Sequence, residues 1–139
     1  MGLRHAETTG QLIDLFFAVY RGLGHGFLER VYSNAMVLEG RRQGLDIKHH
    51  WPIQVFYEGS VVGEYEADLI VNDAVIAELK ACRTLAPEHE AQLLNYLKAT
   101  TYEVGILFNF GVKAEFKRFI YDNKLKGNLS WTRKDTEIH

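Results

Sequence analysis

The run Val104–Phe110, VGILFNF, is almost continuously apolar. It follows a segment of helical period, about Pro87 to Thr100, in which Ala91, Leu94 and Leu97 mark the repeat and Pro87 suits the first turn. A short strand with no wet face must be covered on both sides. These two segments therefore demand a sheet with helices on its faces, and the rest of the chain has to supply them.

It does so in a set order. Thr9–Gly22 carries Leu12, Ile13, Leu15, Phe16, Val19 and Tyr20 at helical spacing, with Thr8 or Thr9 as the expected N-cap. The glycines of LGHG then interrupt it. A second helix is expected from about Gly26 to Gln43, where Gly44 is a ready stop. The period then changes. Pro52–Tyr57 and Val61–Val71 read as strands divided by Glu58-Gly59-Ser60, and Ala74–Cys82 as a third after Asn72-Asp73. Beyond Val104–Phe110, Lys117–Tyr121 reads as a last strand, and Asn123–His139 as a polar tail. The order is α-α-β-β-β-α-β-β. The expected fold is α/β, a mixed central sheet flanked by helices, in a single domain over residues 1–139.

Composition excludes several classes. At 139 residues with 47% AVILMFWYC and 24% charged residues, the chain has the makeup of one folded domain. No apolar run approaches the roughly 18 residues of a membrane span. MGLRHAETTG has no apolar signal-peptide core, so no secretory leader and no membrane partner are expected. One cysteine, Cys82, excludes an internal disulfide framework and a multi-cysteine zinc site, and suits a reducing, cytoplasmic setting. The formal charge is −2. It is unevenly spread: −6 from Glu58 to Gln92 and +5 from Val112 to Lys134. That division suits a cation site beside an anion-holding surface, and equally two solvated faces.

Alternation along strands groups the polar residues. Glu64, Glu66, Asp68 and Ile70 fall on one face of Val61–Val71, with Tyr65, Ala67, Leu69 and Val71 on the other. Ile76, Glu78, Lys80 and Cys82 share a face of Ala74–Cys82. A turn at Asn72-Asp73, with pairing near Val71/Ala74, brings Asp68 beside Glu78. Two carboxylates with a lysine one step along suit Mg²⁺, which takes oxygen ligands and keeps several waters. Lys80 would then lie beside a bound water or a phosphate. The same residues also fit the wet face of an antiparallel sheet, although Ile76 and Cys82 imply that this face is partly covered. Glu29 and Tyr32 are i, i+3 neighbours on the second helix, and Gln92 and Tyr96 an i, i+4 pair on the third. His89, three residues before Gln92, fits either a place facing the site or an exposed helix position, and the exposed position is the expected one. His49 and His50, adjacent on a strand, are expected to point to opposite faces and hold no metal together. Cys82, with no base partner, reads as a small buried residue. Trp51, Phe56 and Tyr57, if exposed, would mark a dimer edge.

The run Gly26-Phe27-Leu28-Glu29-Arg30-Val31-Tyr32 resembles the signature of the GxxExxY protein family. Asp68, Glu78-Leu79-Lys80 and Gln92–Tyr96 (QLLNY) match the rest of that pattern in order, so the resemblance covers about Leu12 to Ile120. That family is similar to the PD-(D/E)xK nuclease superfamily, with Ala67-Asp68 standing where the name has Pro-Asp. The resemblance implies a restriction-endonuclease-like core and a Mg²⁺- or Mn²⁺-dependent phosphodiesterase acting on DNA, or on RNA. It implies Asp68, Glu78, the Leu79 carbonyl and Glu29 as metal ligands, Glu29 directly or through water. Lys80 would position the attacking water and Gln92 would assist it. Tyr96 and Tyr32 would bind substrate. The alternative is a catalytically silent module of the same fold that binds nucleic acid or protein. A core this small is expected to need a homodimer or a partner protein to grip its substrate.

Overall fold

The computed structural model describes residues 4–126. Its elements follow the expected order: α1 (Ala6–Leu23), α2 (Glu29–Arg42), β1 (Ile47–Tyr57), β2 (Ser60–Val71), β3 (Val75–Lys80), α3 (Pro87–Lys98), β4 (Val104–Phe110) and β5 (Ala114–Ile120), closed by a 3₁₀ turn at Asn123–Lys126. The expected tail beyond Lys126 lies outside the described residues.

The five strands lie in chain order in one sheet. Three neighbouring pairs are antiparallel, and β3–β4, joined through α3, is parallel. Both turns before β3 use left-handed backbone. Glu58 and Gly59 have φ of 48° and 85°, and Asn72 and Asp73 have φ of 53° and 49°. Such conformations match hairpin turns to strand twist.

One face of the sheet meets α1 and α2. Leu12, Leu15, Phe16, Tyr32 and Met36 pack there on Leu69, Ala77, Leu79, Ile106, Phe108 and Phe110. The other face meets α3, where Leu93, Tyr96 and Leu97 pack on Ile70, Ile76 and Leu107. Every residue of β4 is buried, as its composition requires.

Several expected boundaries move. α1 starts at Ala6, and Thr9 lies inside it, its hydroxyl donating to the His5 and Ala6 carbonyls rather than capping. α2 starts at Glu29, because Gly24 and Gly26 take positive φ and hold the chain out of helix. β1 starts at Ile47, pairing with Val71, and tolerates Pro52 because it is an edge strand. β5 starts at Ala114, since its hairpin with β4 closes at Phe110.

The face assignment along β2 also changes. β2 pairs with β3 only from Leu69 to Val71, so the rest of β1–β2 extends as a two-stranded arm. His50 has φ of 56°, and the twist of the free ribbon turns the arm over. Ala67 therefore packs with Ile53 and Ile70 on the α3 side, not with Leu69.

Candidate active site

The site forms where β2 and β3 part. Their last ladder pair is Leu69–Ala77, which sets Asp68 across from Glu78. The first pair is Val71–Val75, one residue beyond the expected register. In place of further ladder bonds, the two side chains cross over. The Asp68 N–H donates to Glu78 Oε2 at 2.7 Å, and the Leu79 N–H donates to Asp68 Oδ2 at 2.8 Å. Each carboxylate thus keeps one oxygen without a hydrogen bond among the described residues.

Glu78 is 3% exposed. Burial first, and then the charge of Asp68, push its carboxyl up to about 8, against the opposing pull of the Asp68 N–H and Lys80. Burial also raises Asp68, against the Leu79 N–H and Lys80. Two carboxylates this close, Glu78 buried and Asp68 half-buried, repel each other when ionised, and a cation between them would relieve that. Lys80, half-buried and one step along the same face of β3, forms no ion pair within 4 Å among the described residues.

No three His, Cys, Asp or Glu side chains among the described residues are arranged to hold a metal ion. Asp68 and Glu78 still fit a hard cation that keeps several waters, because they offer two free oxygens and excess negative charge. Glu29 sits exposed at the start of α2, and its charge contributes to raising both Glu78 and Cys82. It belongs to no ready-made trio with them.

Tyr32 points into the core. It is 0% exposed, stacked on Phe110 with ring centroids 4.2 Å apart. Its hydroxyl donates to the Gly24 carbonyl at 2.6 Å and accepts from the Phe27 N–H at 3.2 Å. The side chain expected to touch substrate is thus held by structural contacts: Tyr32 ties down the loop that precedes Glu29. Tyr96 is nearly buried on α3. Burial and then the charges of Glu78 and Asp68 push its hydroxyl up to about 12. Gln92, one turn before it, is half-buried.

His89 caps its own helix, its Nδ1 accepting from the Ala86 N–H at 3.0 Å. Cys82 is half-buried; its thiol donates to the Thr84 carbonyl, and burial raises its pKa. His49 and His50 do not diverge as strand alternation predicts. Positive φ at His50 brings their rings into a stack with centroids 3.8 Å apart. His49 Nε2 lies 2.6 Å from Ser33 Oγ, and His50 Nδ1 lies 3.1 Å from Glu66.

Asn109 escapes the sequence reading. This one side chain, 0% exposed, accepts from the Cys82 N–H and donates to the Cys82 carbonyl and to Glu115. It continues the β3–β4 pairing past Lys80. Its signal is a single amide inside an otherwise apolar strand.

An Asp on one strand, a Glu-x-Lys on the next and a parallel crossover beyond it define a class of nuclease folds. The model of the PD-(D/E)XK nuclease superfamily matches residues 6–119, and the chain belongs to that superfamily. A search of curated proteins returns no match. Among solved structures, the chain is similar to an alkaline exonuclease (LHK-Exo) from Laribacter hongkongensis, at 13% identity and a TM-score of 0.50, covering 99% of this chain and 78% of that one. It is also similar to SSO0001, at 20% identity and a TM-score of 0.49, covering 73% of this chain and 53% of that one. This chain thus spans about half the length of SSO0001.

Proposed function

We propose that this protein is a Mg²⁺- or Mn²⁺-dependent nuclease that hydrolyses phosphodiester bonds in DNA. The observation that carries the reading is the crossed pair Asp68 and Glu78, each with one oxygen outside any hydrogen bond among the described residues, beside Lys80, which forms no ion pair among them. Asp68, Glu78 and the Leu79 carbonyl would hold the cation, with Glu29 acting through water. The bound cation would lower the pKa of a water and offset charge on the phosphate. Lys80 orients that water or a phosphate oxygen, as a mobile ammonium with three donors can. Gln92 can donate to the phosphate and accept from the water. The family resemblance implies products with 5′-phosphate and 3′-hydroxyl ends.

The GxxExxY relationship is part of the proposal, and the fold gives its spacing a reason. Gly26 supplies a φ of 113°, Glu29 opens α2, and Tyr32 returns one turn later to tie the loop.

The test is cleavage of labelled DNA and RNA with Mn²⁺ by wild type and Lys80→Ala. Metal-dependent cleavage that disappears in the variant is expected. Absence of cleavage with DNA binding intact in both would instead favour a silent binding module.

A further inference from the structure

A groove of about 600 Å³ runs between α3 and the β1–β2 arm. Phe56 and Tyr65 line it from the arm, and Gln92, Asn95 and Tyr96 from α3. Tyr96, which lines the groove, packs in one cluster with Ile70 and Ile76, each two residues along its strand from Asp68 or Glu78, and the charges of those carboxylates act on its hydroxyl.

Three features describe what fits there. Tyr65 is 52% exposed, and its ring stands 5.8 Å from the Tyr96 ring, centroid to centroid, tilted by 47° rather than stacked on it. The amides of Gln92 and Asn95 can donate and accept, as base edges require. The charges lining the groove, Glu88 and Lys98, cancel, so it is no track for phosphates. Its volume is that of a small-molecule pocket. In a duplex the base faces are stacked on one another and only edges reach the grooves. An unpaired base can offer its face to an aromatic side chain.

We infer that this groove seats unpaired bases of a single-stranded nucleic acid, whose backbone phosphate would meet the cation that Asp68 and Glu78 would hold. The inference rests on the nuclease reading and adds the form of its substrate. Tyr65 is its principal stacking surface, and the arm exists to hold that ring over α3.

The experiment measures binding of labelled oligothymidine and of a blunt duplex of equal length, with Mg²⁺, in a Lys80→Ala background that prevents cleavage. The expected result is single-strand binding about tenfold or more tighter than duplex binding. Adding Tyr65→Ala should lose about tenfold on the single strand, while Tyr65→Phe keeps it, as loss of one stacking contact predicts. Tyr65 lies on an exposed arm, and a thermal melt of each variant confirms the fold. Equal affinity for both DNAs, or a Tyr65→Ala variant that binds like its parent, overturns the inference. Wild-type cleavage in the same preparation separates the two failures. If it cuts and Tyr65 is indifferent, only the groove reading falls. If it neither cuts nor binds, the nuclease reading falls and takes this one with it.

Discussion

The backbone amide of Asp68 is satisfied by the side chain of Glu78 rather than by the facing strand, at 2.7 Å. Glu78 therefore has a structural duty beside the chemical one proposed for it. Glu78→Gln keeps an acceptor for that amide and removes a charge that burial opposes. In EDTA, above the raised pKa of Glu78, this variant should resist urea better than wild type, and with Mn²⁺ supplied it should cut nothing while wild type cuts. Glu78→Ala leaves the amide without its partner and should be less stable than the Gln variant by about 1–3 kcal/mol. Equal urea midpoints for the two variants would remove the structural duty.

The Glu78 carboxyl also sets a pH dependence. Its pKa rises from an ordinary 4.5 to about 8 in the fold. The folded protein therefore keeps a proton that the unfolded chain releases. That contribution is full below about 4.5 and disappears as pH rises to about 8. Metal-free melting temperature should accordingly fall over this window because of Glu78, and Glu78→Gln should flatten the decline. Mg²⁺, which competes with the proton, should raise the melting temperature more at alkaline pH than at acid pH. Melting curves with EDTA or Mg²⁺ across the window check both signs.

Tyr32 offers a test of position against contact. Tyr32→Phe keeps the stack on Phe110 and loses the hydroxyl's bonds to Gly24 and Phe27. It should cost about 1–3 kcal/mol in urea unfolding. Cleavage should slow through kcat, because the loop before Glu29 loosens. A raised KM with unchanged stability would instead mean that Tyr32 touches substrate.

Gly111 is required for a different reason. A Cβ there would come within 2.3 Å of the Cys82 carbonyl oxygen and 3.0 Å of Asn109 Nδ2. Neither can yield without breaking the amide clamp that continues β3 past Lys80. Gly111→Ala should destabilise by at least about 2 kcal/mol, the reverse of the gain usual at an unstrained glycine. A melting temperature at or above wild type would refute the close approach.

Much of this architecture is written locally. Val104–Phe110 can be bounded to the residue, because apolar side chains on both faces leave one solution. The nearness of Asp68 and Glu78 follows from alternation and a turn at Asn72-Asp73, although the register that sets them opposite lies one residue beyond the expected one. What the sequence conceals depends on partners distant in the chain. Tyr32 looks like a neighbour of Glu29 on one helix face, and only Phe110 shows that it points inward. Asn109 looks like an interruption until Cys82 lies beside it. His50 carries no mark of its left-handed backbone, so neither the stack with His49 nor the turning of the arm is legible.

The parting of β2 from β3 leaves two main-chain protons, on Asp68 and Leu79, bonded to the very oxygens whose charge the site controls. Their amide resonances should shift when either carboxylate gains a proton or a cation. The fold thus carries its own spectroscopic gauge of occupancy, readable without substrate or turnover.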